Sequence, residues 1–557
     1  MKKIITLLLL AVVVVSTAEA AYKVKKIKSP EGTTITGVVY CDNQPLVGVQ
    51  VSDGVQIVTT DEKGIYNIAS TKPWGMVFIT TPSGYAPLMF DDVRPTFWKQ
   101  TKADPRKKER IDFRLQKVDD SKFSVLIMSD THLCNDKKRS DLKHFRKLAM
   151  PAIHRAAKEA GENLISINLG DITWDRFWYA NNFSIEHVPQ FLIENKFRMP
   201  LYCVHGNHDY DPAVPPTENP NVKAIQRFCA TFGPTYYSMN KGNVHFVFLD
   251  NILYKNEITD NQKKAPNVIG SRNYDMYIDN TQMEWLSQDL SYVDKSTPIV
   301  ICMHAPLYTY NGKGERVYNL REDQAETLIE MVKDFKSVRF FTGHSHRNMS
   351  FTHPELHNIV EYNLTSISGD LWKTPNEYGI NIGEDGADAG FYLCTFEGDK
   401  FTKYWYSVEG GSLYPFRVYD MNEVAKAYVK DRAVLWLCNV QSEQVNYANA
   451  AYNNYIYVNC WTWEEGCSLA ATENGDFLKV EKVSDSDPLA AKIVFAPSYI
   501  DPKTAKASSK VNRLSLAANM FRIKASDSTT PIVLTYTTPY GGSYTQTIQR
   551  PVSFPVK

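Results

Sequence analysis

The feature that most constrains the fold of this chain is a series of short apolar runs alternating with segments of helical periodicity. The runs occupy residues 123–128, 164–169, 201–204, 299–303 and 338–342. Segments 141–159, 185–196, 280–293 and 322–336 lie between them and repeat apolar residues at helical spacing. Strands that are apolar throughout indicate a sheet covered by helices, because such strands leave no face for water. The pattern predicts an α/β domain, which we place at residues 119–410.

Two β-rich regions are expected on either side of this domain. Residues 33–68 alternate apolar and polar side chains between turn signals, which predicts a small antiparallel sandwich within residues 21–118. The stretch 236–250 predicts a hairpin that adds antiparallel strands to the central sheet. After about residue 410 the helical rhythm largely stops, and Tyr, Trp, Thr and Val are frequent. Residues 411–557 are therefore expected to form a second β-rich domain.

The first twenty residues have the pattern of a signal peptide. Lys2 and Lys3 precede an apolar run at 4–15, and Ala18-Glu19-Ala20 offers a cleavage site. The alternative, a membrane anchor, is disfavoured because the run is short for a bilayer of about 30 Å, and no later segment predicts a span. We therefore expect an exported protein, periplasmic or secreted.

Charge and cysteine content narrow the partners and the redox chemistry. The chain has 62 basic and 62 acidic side chains, so no global field attracts a polyanion, and nucleic-acid binding is not expected. The nine cysteines show no framework spacing. Cys460 and Cys467 are close enough for a local disulfide, with free thiols as the alternative.

Polar residues of one chemical kind follow each of the five apolar runs. They are Asp130 and His132, Asp171, the trio Asn207-His208-Asp209, His304, and finally His344 and His346. Side chains at the carboxyl ends of strands in an open α/β sheet converge on one place. Carboxylate oxygen and imidazole nitrogen without thiolate suit Fe, Mn or Zn. Each fragment alone has a structural alternative, but five in series predict a metal site.

The order Asp-x-His, Gly-Asp, Gly-Asn-His-Asp, His and Gly-His-x-His resembles the calcineurin-like metallophosphoesterases over residues 123–396. The stretch FGPTYYSMNKGNVHFVFLD is similar to the corresponding part of purple acid phosphatases and their bacterial relatives. The sandwich before the core resembles carboxypeptidase-regulatory-like modules. This resemblance implies a four-layer αββα core between two β domains, with two divalent or transition metal ions and a phosphate-ester substrate.

The resemblance also implies a role for each site residue. Asp130, His132 and His346 would hold one ion, Asn207, His304 and His344 the other, and Asp171 would bridge them. His208 would face the phosphate and protonate the leaving group or stabilise charge there, while Asp209 would orient its neighbours. A hydroxide shared by the two ions would attack phosphorus in line, without a covalent enzyme intermediate.

One position departs from the family pattern. Many members have an acidic residue three positions after the bridging aspartate, where it pairs with the histidine that follows the asparagine; here that position is Trp174. Asp175 is the candidate to replace it, and the alternative is a different orientation of His208. Purple acid phosphatases carry an iron-bound tyrosine at that position, so Trp174 argues against a fixed ferric site.

The substrate is not specified by the sequence. Arg347 is a candidate contact for a phosphate oxygen, and five aromatic residues are candidates for the cleft, with ordinary packing favoured for them: Tyr236, Tyr237, Tyr308, Trp372 and Tyr378. Hydrolysis of phosphomonoesters or phosphodiesters is the preferred function. The alternatives are a phosphodiesterase for nucleotides or phospholipid head groups, and a non-catalytic protein with a relic core that contacts glycan or the cell surface through its β domains.

Overall fold

The computed structural model describes residues 24, 26–217, 219–260, 264–311, 314–408, 414–440, 446–499 and 514–556. The predicted signal peptide, residues 1–20, lies outside the described residues. Within these ranges, no helix has both the length and the apolar character needed to cross a bilayer.

Two mixed sheets form the centre of the molecule. Their strands, in chain order, are β1 (Lys122–Met128), β2 (Leu164–Asn168), β3 (Leu201–Cys203), β4 (Tyr237–Lys241), β5 (Val244–Leu249), β6 (Ile299–Met303), β7 (Val338–Thr342), β8 (Met349–Thr352), β9 (Ile359–Asn363), β10 (Gly390–Glu397) and β11 (Lys400–Ser407). The first sheet has the order β3-β2-β1-β10-β11, and the second has β4-β5-β6-β7-β9-β8. The pairs β1–β2, β2–β3, β5–β6, β6–β7 and β7–β9 are parallel. The apolar runs predicted as strands are β1, β2, β3, β6 and β7.

Helices cover the outer face of each sheet. The main ones are α1 (Met150–Ala160), α2 (Val188–Glu194), α3 (Asn280–Ser291) and α4 (Glu322–Val332). Leu126 of β1 packs in one core with α1 and α2, whereas Val125 and Ile127 belong to the core shared by the two sheets. Trp285 of α3 and Leu328 of α4 pack into this core between the sheets from the side opposite α1 and α2. The layers are therefore helix, sheet, sheet, helix, which confirms the predicted αββα arrangement.

Shorter elements connect these layers. A turn of α-helix at Asp141–His144 and a π-helical turn at Phe145–Ala149 lead directly into α1. The remaining short elements of the core are Asp175–Phe177, Ile185–His187, Pro220–Ala224, Gln226–Phe232, Ile252–Tyr254 paired with Tyr274–Met276, Tyr308–Tyr310 paired with Arg316–Tyr318, and Thr374–Glu377.

The N-terminal region is a sandwich of one six-stranded and one four-stranded sheet. The prediction of an antiparallel sandwich is wrong at one strand, because Ile35–Cys41 pairs in parallel with Glu109–Arg110 and Phe113–Lys117. Its strands are Ile35–Cys41, Gln44–Pro45, Gln50–Ser52, Ile57–Thr59, Ile65–Ile68, Met76–Ile79, Tyr85–Pro87, Trp98–Gln100, Glu109–Arg110 and Phe113–Lys117. It packs on the core through polar contacts as well as apolar ones. The indole nitrogen of Trp285 donates to the Ser52 hydroxyl at 3.1 Å, and the Tyr236 hydroxyl donates to the Gly54 carbonyl.

The C-terminal region is β-rich as predicted and contains two four-stranded sheets. Its strands are Arg417–Asp420, Tyr455–Asn459, Ser468–Glu473, Asp476–Leu478, Val480–Val483, Met520–Lys524, Ile532–Thr537 and Ser543–Ile548. The expectation that helices largely stop after residue 410 is wrong here. The helical segments are Met421–Tyr428, Arg432–Val440, Ala450–Tyr452 and a continuous stretch made of Pro488–Ala490, Ala491–Phe495 and Ala496–Tyr499. They are short, so each shows too few apolar repeats to stand out from an aromatic-rich background.

Two side-chain features of the C-terminal region complete the fold. Cys460 and Cys467 are both free thiols, so the disulfide is not formed and the alternative holds. The ammonium of Lys403, on β11, is buried and lies 2.7 Å from the Glu464 carboxylate. Tyrosine rings surround this pair, with those of Tyr362 and Tyr392 centred 4.4 and 4.7 Å from the Lys403 nitrogen. The pair therefore joins the C-terminal region to the core.

Candidate metal centre

The polar side chains predicted at the strand ends lie together beyond the carboxyl ends of β1, β2, β3, β6 and β7. The local backbone there is unusual, since several of these residues have a positive φ without being glycine. They are Asp130 (55°), His132 (46°), Asp171 (50°), His344 (66°) and His346 (54°). A left-handed conformation costs an ordinary residue about 1–2 kcal/mol. Clusters of such strain occur at functional sites, so this edge of the sheets is the first candidate for one.

The first group consists of Asp130, His132 and His346. The Nε2 atoms of the two imidazoles lie 3.0 Å apart. Oδ1 of Asp130 lies 3.2 Å from Nε2 of His346 and 3.7 Å from Nε2 of His132. Two imidazole nitrogens and one carboxylate oxygen therefore point into one small volume.

The second group consists of Asp171, Asn207, His304 and His344. Nε2 of His304 lies 3.0 Å from Oδ1 of Asn207 and 3.3 Å from Oδ1 of Asp171. Ligand atoms of Asp171, His304 and His344 all lie within 4.8 Å of one another. The other oxygen of Asp171, Oδ2, lies 3.7 Å from Nε2 of His132 in the first group. The Asp171 carboxylate thus faces both groups at once.

The donor atoms fit a pair of metal ions. Oδ1 of Asp130, the oxygen that faces the first group, is buried and makes no hydrogen bond to a described residue. Nδ1 of His304 donates to the Leu169 carbonyl at 2.8 Å, which leaves Nε2 to face the second group. An imidazole fixed through one nitrogen and open at the other is the usual form of a histidine ligand. Oxygen and nitrogen donors without thiolate suit Fe, Mn or Zn.

The pKa shifts agree with this fit at most positions. Burial lowers the pKa of His132 to about 3, which keeps the imidazole neutral. Burial raises the pKa of Asp130, but His346 and His304 together lower it to about 2. Burial lowers the pKa of His304, but Asp171, Asp130 and the Leu169 carbonyl together raise it to about 9. Metal ions bind deprotonated ligands, so an ion at His304 would have to displace a proton.

His208 lies beside His132 and Asp171, whose ligand atoms are within 4.8 Å of its own, and two carboxylates hold it. Its backbone N–H donates to Oδ1 of Asp171 at 2.7 Å, and its Nδ1 lies 2.8 Å from Oδ1 of Asp175. The Asp175 side chain is fully buried, whereas that of His208 is 24% exposed. Burial lowers the pKa of His208, but Asp171 and Asp175 together raise it above its ordinary value. Asp175 thus stands where the sequence offered it as the substitute partner of His208.

Asp209 lies behind the site rather than in it. It is fully buried, and its carboxylate accepts hydrogen bonds from the backbone N–H groups of Ile172, Thr173 and Gly206 at 3.0–3.2 Å. Burial, followed by the charge of Asp171, raises the pKa of Asp209 to about 6. The carboxylate therefore ties together the two loops that carry Asp171 and Asn207.

The loops also meet at a close backbone approach. A Cβ atom at Gly206 would lie 2.1 Å from the backbone nitrogen of Asp171, and one at Gly343 would lie 1.8 Å from the Ser129 hydroxyl. No side chain fits at either position. Glycine is required there because the strand-end loops must touch for the ligand groups to converge.

Trp174, the departure from the family pattern, forms one wall of the site. Its ring centroid lies 5.6 Å from that of His132 and 5.9 Å from that of His208. The guanidinium of Arg139 lies over the indole, 4.6 Å from the ring centroid. The tryptophan therefore replaces a charged side chain by an aromatic surface, while Asp175 supplies the carboxylate.

The other candidate contacts lie away from the ligand groups or pack in cores. Tyr236, Tyr237, Tyr308 and Trp372 are at most 4% exposed, so they are packing residues. Tyr378 packs against the core of the C-terminal region. Arg347 is partly exposed, and its charge acts on Asp385.

A loop at residues 380–389 supports the turn that carries the last ligands. Oδ2 of Asp385 accepts a hydrogen bond from the Asn348 backbone N–H at 2.7 Å, two residues after His346. The Asp385 carbonyl in turn accepts from the side-chain amide of Asn459 at 2.8 Å. The C-terminal region therefore reaches the metal site through this loop.

Two residues near the site carry no signal in the sequence. Nη1 of Arg272 donates to Oδ1 of Asp175 at 2.7 Å and lies 3.5 Å from Nδ1 of His208. The ring of Tyr274 meets that of His344 edge to face, with centroids 6.0 Å apart. Arg272 lies in a connecting segment and Tyr274 begins the three-residue strand Tyr274–Met276, which is too short to show a period, so only the folded chain reveals them.

The comparisons with known proteins agree on one family. Three family models match the chain in order: the N terminal of calcineurin-like phosphoesterase at 33–118, calcineurin-like phosphoesterase at 123–348, and the C terminal of calcineurin-like phosphoesterase at 361–544. Human serine/threonine-protein phosphatase CPPED1 is 25% identical over 188 residues, which cover 33% of this chain and 52% of the relative. Purple acid phosphatase 15 of Arabidopsis thaliana is 29% identical over 167 residues, covering 28% and 26%.

Solved structures include a dimetal phosphatase from Danio rerio, with 14% identity and a TM-score of 0.34 over 51% of this chain and 96% of the other. A purple acid phosphatase from yellow lupin has 15% identity and a TM-score of 0.35 over 66% and 68%. The chain spans about half the length of the CPPED1 relatives it matches. Because all three parts of the family pattern are present in order, this protein belongs to the calcineurin-like phosphoesterases.

Proposed function

We propose that this protein hydrolyses phosphate esters with a pair of metal ions. The observation that carries the proposal is the Asp171 carboxylate, whose two oxygens each face a different group of imidazole and carboxylate ligands. A carboxylate placed in this way can bridge two ions. The ligand chemistry admits Fe, Mn or Zn.

Seven side chains would hold the ions. We assign Asp130, His132 and His346 to one, Asn207, His304 and His344 to the other, and Asp171 to both. Bound ions would bind phosphoryl oxygens and lower the pKa of water, which supplies the nucleophile for in-line attack. The chain itself contributes the fixed geometry, since five of the seven ligands sit on strained backbone that cannot relax easily.

His208 would act on the phosphoryl group or the leaving oxygen. Its Nδ1 is engaged by Asp175, so the ring presents Nε2 as its free nitrogen. The two neighbouring carboxylates raise its pKa, which favours the protonated form that can donate to a leaving alkoxide. Asp175 orients the ring, and Asp209 holds the loops on which Asp171 and Asn207 stand.

The first test is metal content and turnover of the wild type and of Asn207→Ala. We expect two transition metal ions per wild-type chain and hydrolysis of p-nitrophenyl phosphate or bis-p-nitrophenyl phosphate. The variant lacks one oxygen ligand, so we expect less bound metal and a loss of turnover of about 10- to 100-fold or more. Asn243→Ala, in the exposed turn between β4 and β5, is the matched control. A wild type without turnover under every combination of Mn, Zn and Fe would overturn the proposal.

We also propose that the protein is exported. The support is the charged start, apolar run and small-residue site within residues 1–20. N-terminal sequencing of the protein produced in a bacterium should find a chain that begins near residue 21 in the periplasm or medium. A chain that keeps Met1 and stays in the cytoplasm would contradict export.

A further inference from the structure

Arg272 lies at the edge of the metal centre, on the side of His208. Its Nη1 donates to the same Asp175 oxygen that holds His208 and lies 3.5 Å from the imidazole Nδ1. The side chain is 18% exposed, so solvent and a ligand can reach it. Among the described residues, Asp175 is the hydrogen-bond partner of its guanidinium, because Nδ1 of His208 donates to the same carboxylate and cannot accept. Most of its five N–H donors are therefore left for a ligand.

The fold fixes this arginine in place. Arg272 has a φ of 60°, and its backbone N–H donates to Oδ1 of Asn256 at 3.0 Å. Asn256 is fully buried and its amide donates to the Val214 carbonyl at 2.6 Å. A Cβ atom at Gly270 would lie 1.9 Å from the Asn256 carbonyl oxygen, so the segment passes tightly against this anchor. An arginine carried on strained, anchored backbone is built into the site, unlike a loose surface side chain.

The chemistry of the arginine points to one class of ester. A phosphomonoester has three terminal oxygens and a charge near −2, whereas a phosphodiester has two terminal oxygens and a charge of −1. When two oxygens face metal ions, only the monoester has a third, and that oxygen needs a donor. A guanidinium is the side chain best suited to bind it, because its donors match the geometry of a phosphate.

We propose that Arg272 is a specificity-determining residue that binds the third terminal oxygen and makes this site selective for phosphomonoesters. This inference rests on the proposed hydrolase function. His208 would serve either class of ester, whereas Arg272 would favour the monoester. Removal of the guanidinium should therefore change the ratio of the two activities, and a merely structural role would lower both equally.

The test compares Arg272→Gln, Arg272→Lys and wild type on p-nitrophenyl phosphate and bis-p-nitrophenyl phosphate. For Arg272→Gln we expect kcat/KM on the monoester to fall about 10- to 100-fold, the usual cost of a lost hydrogen bond to a charged group. The diester activity should change several-fold less, and inhibition by inorganic phosphate should weaken in parallel. Arg272→Lys should fall between the two. Arg106→Gln, on an exposed arginine of the N-terminal sandwich, is the matched control.

Removing Arg272 takes one of its two partners from the buried Asp175 carboxylate, so folding must be checked. The double variant Asp175→Asn/Arg272→Gln removes both charges and keeps the test possible if the single variant unfolds. It is compared with Asp175→Asn alone. An unchanged monoester-to-diester ratio and unchanged phosphate inhibition, with metal content retained, would overturn the role of Arg272. A wild type inactive on both esters would instead show that the hydrolase proposal itself has failed.

Discussion

At the scale of single residues, some residues of the site can be predicted from the sequence and others cannot. The seven candidate ligands and His208 follow apolar strands directly, so the rule that strand ends converge was enough to group them. Asp175 was one of two alternatives, and its contact with His208 could be seen only in the folded chain. The place of Arg272 in the site could not be predicted, because it depends on the hydrogen bond to Asn256 and on a loop without regular secondary structure.

The contact between Asp175 and His208 predicts a separable effect on turnover. In Asp175→Asn the imidazole loses the carboxylate that fixes its Nδ1 proton, while the ligands are untouched. We expect kcat to fall about 10- to 100-fold, as for other residues that orient a site from behind. Metal content, measured by elemental analysis, should stay at the wild-type value. The control is Asp294→Asn, an exposed carboxylate in the loop after α3. A loss of metal with activity would assign Asp175 to the metal site instead.

At the scale of elements, strands and long helices of the core agree closely with the sequence pattern, and β7 has the predicted bounds. Such elements are predictable because a helix or strand that buries one or both faces needs apolar residues at regular positions in the sequence. The C-terminal helices were missed because they are short, so each shows too few apolar repeats to be recognised. The N-terminal sandwich and the hairpin of β4 and β5 had both signals, alternation and turn residues, and were found.

One link between elements predicts a pH dependence of stability. Glu361, on β9, is 1% exposed and accepts hydrogen bonds from the backbone N–H groups of Leu307 and Tyr308, after β6. Burial outweighs these bonds and raises the pKa of Glu361 to about 7. The folded state therefore binds this proton more tightly than the unfolded state, whose pKa is near 4.3.

The direction of this pH dependence follows from the tighter binding of the proton in the folded state. The stabilising contribution of a protonated Glu361 is present below about pH 4 and is lost as the pH rises to about 7. In Glu361→Gln this dependence should disappear, so the free energy of unfolding of the wild type should fall by about 1–3 kcal/mol relative to the variant between pH 5 and pH 8. Urea denaturation of both proteins, treated with chelator, measures it. Parallel pH curves for the two proteins would contradict the assignment.

At the scale of the whole molecule, the C-terminal region supports the candidate metal site, although none of its described residues is among the candidate ligands. The side-chain amide of Asn459 donates to the Asp385 carbonyl in the loop at 380–389. The Asp385 carboxylate in turn accepts from the backbone N–H of Asn348, two residues after His346. No sequence pattern could show this, because the contacts join segments that are distant along the chain and involve backbone carbonyls. The domain boundaries stay a prediction, and these contacts join the C-terminal region to the core.

The support from Asn459 predicts a long-range effect on metal binding. Asn459→Ala removes the hydrogen bonds to the Asp385 carbonyl and to Asp487, so the loop loses its hold on the turn after β7. We expect metal affinity to fall by about tenfold, as for other outer contacts of a metal site. Titration against a competing chelator measures it, with Gln549→Ala as the exposed control. Unchanged affinity in a folded variant would show that the loop supports itself.

The buried pair of Lys403 and Glu464 has a consequence for dissecting this protein. A chain that stopped near residue 408 would still carry every candidate ligand, because the last of them is His346. It would nevertheless lose Glu464, the carboxylate that neutralises the buried Lys403, together with the surface that shields the pair from water. Water would then reach Lys403 and the rings of Tyr362 and Tyr392 around it, apolar surface that the full chain keeps buried. The smallest fragment that contains all the candidate ligands is therefore shorter than the smallest fragment that we expect to fold by itself.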